Sequence, residues 1–263
     1  MLSYEFMQRA LLTGLMLAII IPMIGIVMVN RGTSMIGDAL SHSSLAGVAM
    51  GLILGINPIF SSIVVCIIAS FAIEFIRKKF KAYGDMATAI IMSLGIGLAA
   101  ILSDFSPAGT SFESFLFGSI TSVSSMDLFV VTIIFILVFS LSLYLYYPLL
   151  YNSISPLMAR LSGINSKLVS SVFTFLTAIT VAISTKTVGA LMISSLMVLP
   201  VASALLVSKS YKETFIKSII IAIVYMMIGI SASYYLGIKP GGAIVVIAVI
   251  GMIISIIVQK IKK

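Results

Sequence analysis

Two residues with metal-binding side chains lie four positions apart in a stretch apolar enough to cross a membrane. Asp38 and His42 fall within residues 35–54, and an α-helix would place them one turn apart on one face. Ionisable side chains inside a membrane are costly, so those that occur there are functional candidates. A carboxylate oxygen beside an imidazole nitrogen suits borderline divalent cations such as zinc, manganese or iron. The pair therefore predicts a contact for a divalent metal ion.

Simpler interpretations of the intramembrane polar residues stay open at this point. Asp38 could cap its helix or pair with Arg31, and His42 could only hydrogen-bond to Asp38. Glu74 is a further metal candidate, but it precedes Lys78 by four residues, a spacing that favours an ion pair at a helix end. The single cysteine excludes an intrachain disulfide and a thiolate metal cluster.

The helix that carries the pair has a polar face for two turns and an apolar continuation. About 100° per residue brings onto one face Ser34, Asp38, Ser41, His42, Leu45 and Ala49. Three glycines, Gly47, Gly51 and Gly55, follow at intervals of four and would let a neighbouring helix approach closely. This pattern suits a helix that lines a narrow path.

The composition requires a membrane around these residues. The chain has 263 residues, is 60% hydrophobic and only 9% charged, and has a mean hydropathy of +1.24. Soluble domains carry about 25% charged residues, so a water-soluble globular enzyme and a disordered chain are both excluded. We expect an all-α, polytopic membrane bundle in which residues 1–263 form a single transmembrane domain. Nine candidate spans cover residues 10–29, 35–54, 59–76, 86–102, 128–147, 168–185, 188–207, 219–236 and 243–258. Eight full crossings and one broken span is the alternative, and residues 115–119 are expected to form a re-entrant or interfacial helix.

The distribution of cations predicts the orientation of the bundle. With nine crossings and a cytoplasmic C-terminus, only Arg9, Lys186 and Lys239 face outside. The cytoplasmic set is Arg31, Arg77, Lys78, Lys79, Lys81, Arg160, Lys167, Lys209, Lys212, Lys217, Lys260, Lys262 and Lys263. The N-terminus is then outside, or inside if there are eight crossings. The net charge of +8 thus reflects topology and anionic lipid headgroups, and we expect no nucleic-acid partner.

A short helix is predicted in the cytoplasmic loop of residues 148–167. Ser155 is a suitable N-cap, Pro156 a first-turn residue and Gly163 a terminator, so the helix should cover residues 156–162. Its apolar residues Leu157 and Met158, with Leu161 one turn later, would fit a groove on another protein. The alternative is a surface helix that lies against the bilayer.

These residues carry a resemblance to a known family. Over about residues 5–260 the chain resembles the permease subunits of zinc-, manganese- and iron-uptake ATP-binding-cassette (ABC) transporters. The most specific match is residues 37–49, Gly-Asp-Ala-Leu-Ser-His-Ser-Ser-Leu-Ala-Gly-Val-Ala. Weaker matches are Asp85 and residues 117–120, 159–164, 188–192, 199–200 and 240–245. The chain departs from the family pattern at Asn152, Ser153 and Ser155, where acids are common, and at Ala87 and Ala89, where a glycine is usual.

The resemblance implies a transport subunit rather than an enzyme, in the plasma membrane of a prokaryote. It implies a homodimer with the path at the subunit interface, an extracytoplasmic metal-binding protein, and a separate cytoplasmic ATPase. No Gly-x-x-x-x-Gly-Lys-Ser/Thr phosphate loop occurs in this sequence. Asp38 and His42 would contact a passing divalent ion, with no permanently bound cofactor. The ATPase would grip a coupling segment of about residues 152–167, through Pro156, Leu157, Met158, Ala159, Arg160, Leu161 and Gly163.

Three other functions are weighed against this one. An ABC permease for a metal chelate, of the siderophore or corrinoid type, is usually longer and has one more span. An ion-coupled secondary transporter would work in vesicles without ATP. An intramembrane enzyme is disfavoured, since one histidine cannot build a multi-histidine zinc site.

Overall fold

Long helices build the protein. The computed structural model describes residues 4–80, 84–105, 112–119 and 123–261, and within these ranges every regular element is helical. The helices are α1 (Glu5–Asn30), α2 (Met35–Leu54), α3 (Pro58–Lys79), α4 (Gly84–Ser103), α5 (Phe112–Phe117), α6 (Ser125–Tyr144), α7 (Tyr146–Ile154), α8 (Pro156–Leu161), α9 (Ser166–Thr187), α10 (Ile193–Val207), α11 (Tyr211–Leu236) and α12 (Pro240–Ile261). A 3-10 turn, Ala190–Met192, precedes α10. Four residues used above, Lys81, Ile120, Lys262 and Lys263, lie outside the described ranges.

The prediction of nine spans is confirmed. Nine helical segments in the described ranges are long and apolar enough to cross a membrane: α1, α2, α3, α4, α6, α9, the 3-10 turn with α10, α11 and α12. Several are longer than the apolar stretches alone predict. For example, α11 begins at Tyr211 rather than at residue 219. The Ser210 side chain accepts a hydrogen bond from the Glu213 amide and so caps the helix, which lets the polar residues before the apolar stretch form its first turns.

The predicted span 128–147 is wrong at its C-terminal end. Helix α6 stops at Tyr144, and a separate helix, α7, occupies part of the predicted loop. The ring of Tyr146 packs edge-on against Phe215 at 5.3 Å, which anchors the start of α7 beside α11. Pro148 is accommodated because it lies in the first turn of α7, where an amide hydrogen bond is not required.

Helices α1, α2 and α9 are the most enclosed parts of the bundle. Along α1 the side chains of Leu17, Ile20 and Ile21 have no exposed surface. Helix α2 packs between α3 and α4 and also contacts α9. By contrast, α6 and α12 keep long apolar faces exposed, as expected for surfaces that meet lipid or another subunit.

Two of the three periodic glycines of α2 lie in a close helix contact. A Cβ atom on Gly47 would lie 2.6 Å from the Ser62 Cα atom, and one on Gly51 would lie 2.9 Å from the Pro58 Cα atom. Gly55 differs from the predicted packing role, since no atom lies within 4 Å of its added Cβ. With φ of +66° it ends α2 in the left-handed conformation that glycine adopts most easily.

Candidate functional site

Asp38 and His42 occupy the first two turns of α2, and both side chains are half-buried. The carboxylate of Asp38 accepts a hydrogen bond from the Ser194 hydroxyl of α10, with an oxygen–oxygen distance of 3.3 Å. Among the described residues, neither an Asp38–Arg31 ion pair nor an Asp38–His42 hydrogen bond is present. Both groups therefore keep lone pairs available for a cation.

Two glycines, Gly95 on α4 and Gly37 on α2 itself, allow α4 and α10 to contact α2 closely beside this pair. A Cβ atom on Gly95 of α4 would lie 2.8 Å from the Ser43 amide nitrogen and 3.0 Å from the His42 carbonyl carbon. On the other side, a Cβ atom on Gly37 would lie 3.0 Å from the Met197 sulfur of α10. Helix α4 and the Met197 side chain of α10 thus position the part of α2 that carries the two polar side chains.

An apolar cluster begins one turn beyond His42 on α2, at Leu45 and Ala46. We call it the apolar plug: Leu45, Ala46, Ala99 and Ala190, with Phe112, Phe115 and Leu116 packed against them. It contains all of the aromatic residues of α5 except Phe117. The helix predicted over residues 115–119 is instead α5, Phe112–Phe117, so it begins and ends earlier than predicted, and three of its residues belong to the apolar plug. Ile120 of the same motif lies outside the described residues.

Three glycines join the backbones next to the apolar plug, in what we call the backbone junction. A Cβ atom on Gly118 would lie 2.5 Å from the Thr187 carbonyl oxygen, and one on Gly241 would lie 2.7 Å from the Phe117 carbonyl oxygen. A Cβ atom on Gly189 would overlap the Phe117 carbonyl carbon. No side chain fits between the segment after α5, the end of α9 and the start of α12.

Glu74 is not brought together with Asp38 and His42. One of its carboxylate oxygens lies 2.7 Å from the Lys78 ammonium, and the other accepts a hydrogen bond from the Thr174 hydroxyl at 3.2 Å. The ion pair that the spacing favours is therefore formed. In the part of the chain that the structure describes, no group of three or more His, Cys, Asp or Glu side chains is close enough to share a metal ion.

The predicted short helix is present as α8. Ser155 accepts a hydrogen bond from the Met158 amide at 3.4 Å, and Gly163, with φ of +77°, terminates the turn that follows. Ala159 is buried, whereas Leu157 and Leu161 are 66% and 75% exposed. Met158 and Arg160 are exposed as well. The helix therefore presents an uncovered apolar surface.

Sequence reasoning missed two polar contacts near the pair and the apolar plug. One is the hydrogen bond from Ser194 to Asp38, because a serine within an apolar span gives no indication of which residue it will contact. The other is the ion pair between Asp127 of α6 and Lys186 of α9, with 2.6 Å between the charged atoms and side-chain exposures of 8% and 22%. The Ser124 amide also donates to Asp127, at 2.7 Å. In the sequence, Asp127 precedes a predicted span and Lys186 is a cation predicted to face outside, and nothing there indicates that the two form a pair.

The bundle and the intramembrane carboxylate–imidazole pair define a multi-pass membrane transport protein. The model of the ABC 3 transport family matches residues 3–259, so the chain belongs to this family.

The chain is similar to named proteins over most of their length. The chain is 30% identical to the manganese transport system membrane protein MntC of Listeria monocytogenes, over 95% of this chain and 89% of that protein. It is also 30% identical to the high-affinity zinc uptake system membrane protein ZnuB of Haemophilus influenzae, over 96% and 97%. The solved structure of PsaBC from Streptococcus pneumoniae in complex with Fab matches with a TM-score of 0.87 and 26% identity, covering 99% of this chain and 96% of that chain.

Proposed function

We propose that this protein is the permease subunit of an ATP-driven importer of divalent transition-metal ions, zinc or manganese. The observation that carries the proposal is the Asp38–His42 pair, half-buried one turn apart and, among the described residues, without an ion pair to Lys or Arg. The relatives named for manganese and zinc transport support the metal class. A metal-chelate permease and an ion-coupled carrier are not favoured by these relatives.

The pair alone gives an ion two side-chain ligands. Zinc in proteins takes four ligands in its structural sites, so one copy leaves the coordination incomplete. We propose that a second copy completes it across a two-fold axis, with two carboxylates and two imidazoles. A site open enough to release its cargo suits transport better than a closed cage of thiolates. Helices α3 and α4, which flank α2, keep much of their surface exposed, and this leaves room for such a dimer within the bilayer.

Energy for uptake is proposed to come from a separate cytoplasmic ATPase that binds α8. The exposed side chains of Leu157, Met158 and Leu161 provide an apolar surface that a groove would cover. Buried Ala159 holds the other side of the helix against the bundle. An extracytoplasmic binding protein would deliver the ion, and the metal is cargo rather than a resident cofactor. The importer would lie in the plasma membrane of a prokaryote.

Alternating access is the motion this arrangement would require. The apolar plug lies beyond His42, and we propose that it blocks an ion from moving outward from the pair. Movement of α8 would pass to α7 and α9, which it contacts, and α9 ends at the backbone junction. We propose that ATP-driven displacement of α8 separates the plug and the junction, and so exposes the pair to the outside.

Radiolabelled manganese and zinc uptake by the assembled importer tests the proposal. Asp38→Asn keeps the side-chain shape and removes its charge, and His42→Gln removes the imidazole. Each should lower uptake by at least about tenfold, because losing even a group that supports a metal ligand costs about 10–100-fold in metal affinity or activity. Asp104→Asn, on an exposed acid after α4, is the matched control and should transport normally. Normal uptake by either pair variant, in an importer that still assembles, would rule out the assignment.

A further inference from the structure

A cavity of about 350 Å³ lies on another side of α2. Its walls come from the ends of α1 and α3 and from the starts of α2, α4 and α9, the end of the bundle that the cation distribution assigns to the cytoplasm. We call it the basic cavity, and the residues that matter are Arg31, Glu74, Arg77, Lys78, Ser170 and Phe173. Asp38 and His42 do not line it. Two other residues of α2, Ile36 and Leu40, line the cavity. Leu40 is rotated about 160° around the helix axis from Asp38, so the cavity and the pair lie on opposite faces of α2.

The basic cavity holds more positive than negative charge. Its one carboxylate, Glu74, lies 2.7 Å from the ammonium of Lys78 and is thereby neutralised. Among the described residues, Arg31 and Arg77 have no carboxylate partner. Two guanidinium groups therefore face one cavity without a counter-ion from the protein.

The Arg31 guanidinium is positioned by an aromatic ring but lacks a hydrogen-bond acceptor for one of its nitrogens among the described residues. Its guanidinium carbon lies 4.9 Å from the centre of the Phe173 ring, a cation–π contact. One of its terminal nitrogens is sealed from solvent and has no hydrogen-bond partner among the described residues. Burial lowers the pKa of Arg31, the neighbouring Arg77 charge lowers it further, and Glu74 opposes both effects. A buried donor that lacks an acceptor is costly, and an anion would relieve both the donor and the repulsion.

A further donor reaches the same space. Ser170 accepts a hydrogen bond from the Asn152 side-chain amide at 3.1 Å, so its own hydroxyl hydrogen remains free to donate. Planar guanidinium groups match the oxygens of a phosphate group with paired hydrogen bonds. The surplus of positive charge would repel a divalent cation, so the basic cavity is not a station on the metal path.

We infer that the basic cavity binds a phosphate group, with Arg31 and Arg77 as its principal contacts. That group could belong to the headgroup of an anionic phospholipid of the cytoplasmic leaflet or to free inorganic phosphate. The same guanidinium and hydroxyl donors would hold either one. Binding there would tie the ends of α1 and α3 to the starts of α4 and α9.

Thermal melts of the purified full-length chain in detergent test this inference. One arm adds inorganic phosphate against sodium chloride of equal ionic strength, and the other adds phosphatidylglycerol against phosphatidylcholine in mixed micelles. The key variant is Arg77→Gln, at the half-buried rim, with Arg31→Gln as the second. The matched control is Arg9→Gln, which removes an equal charge at the opposite end of α1, where Arg9 pairs with Glu5 at 2.7 Å.

The wild-type chain and Arg9→Gln should be stabilised in at least one arm, and Arg77→Gln should need about tenfold more ligand for the same shift. Stabilisation by inorganic phosphate identifies the free anion as the source, and stabilisation by phosphatidylglycerol alone identifies the lipid headgroup. If Arg31→Gln does not fold, Arg77→Gln decides the result. No stabilisation in either arm, or equal stabilisation of Arg77→Gln and wild type, overturns the inference. The melts contain no metal, so they are independent of the metal-uptake result.

Discussion

Adding one methyl group at Gly95 should destabilise the protein, whereas adding it at Gly97 should not. Both glycines lie on α4, two residues apart. A Cβ atom on Gly95 would lie 2.8 Å from the Ser43 amide nitrogen of α2, while a Cβ atom on Gly97 would meet nothing within 4 Å. Alanine favours a helix over glycine by about 1 kcal/mol at either position. This gain is common to both variants and cancels when they are compared.

The difference between the two variants is then the cost of forcing α4 away from α2. Ordinary contact begins near 3.4 Å, so the helices must separate by about 0.6 Å at Gly95, against backbone atoms that cannot rotate aside. Overpacking of this kind costs about 1–3 kcal/mol. At about 2–4 °C per kcal/mol for a chain of this size, the Gly95→Ala midpoint should lie about 2–12 °C below that of Gly97→Ala.

Thermal unfolding in detergent measures this difference, and metal uptake provides a second measurement. Because Gly95 lies against the backbone of His42, Gly95→Ala should also lower uptake, while Gly97→Ala should transport normally. Equal melting midpoints for the two variants would refute the proposed close approach of α4 to α2. A lower midpoint with normal uptake would instead show that the packing of α4 against α2 affects stability without changing the position of His42.

Further predictions concern the outer ion pair and α8. Lys186→Met should lower stability by about 1–3 kcal/mol in thermal melts, because the buried Asp127 carboxylate loses its cation and keeps only its hydrogen bonds from Ser124. Adding Asp127→Asn should restore part of that loss, and a single variant as stable as wild type would contradict the argument. Ser155→Ala should cost about 1 kcal/mol of helix stability, seen as faster amide hydrogen exchange over Pro156–Leu161. Leu157→Ala with Leu161→Ala should reduce co-purification of the ATPase without altering the melting midpoint, since both side chains are exposed.

The features that the sequence predicts well are those determined by residues close together along the chain. The spans follow from the length of the apolar runs, and α8 follows from Ser155, Pro156 and Gly163, whose capping chemistry acts within one turn. The same local reasoning failed at Gly55, because a period of four cannot distinguish a packing glycine from a helix terminator. It also failed at α7, whose start depends on the contact of Tyr146 with Phe215.

Contacts between distant parts of the chain could not be predicted. The donor to Asp38 is Ser194, which lies 156 residues away, and hydropathy says nothing about which serine meets which carboxylate. Likewise, Arg31 and Glu74 are brought to the same cavity by the packing of α1 against α9 and of α3 against α9. The sequence identifies the polar residues that could form a site, and the packing of the helices determines which of them are in contact.

The backbone junction has a consequence for the speed of transport. A gate made of side chains opens when rotamers change, within picoseconds to nanoseconds at an exposed position. At Gly118, Gly189 and Gly241 main chain rests on main chain, with no side chain between to swing aside. Opening there requires whole segments to move apart, a class of motion that takes microseconds to milliseconds. We therefore expect the outer barrier to be slow and all-or-none, so that it opens with the ATPase cycle and leaks few ions between cycles.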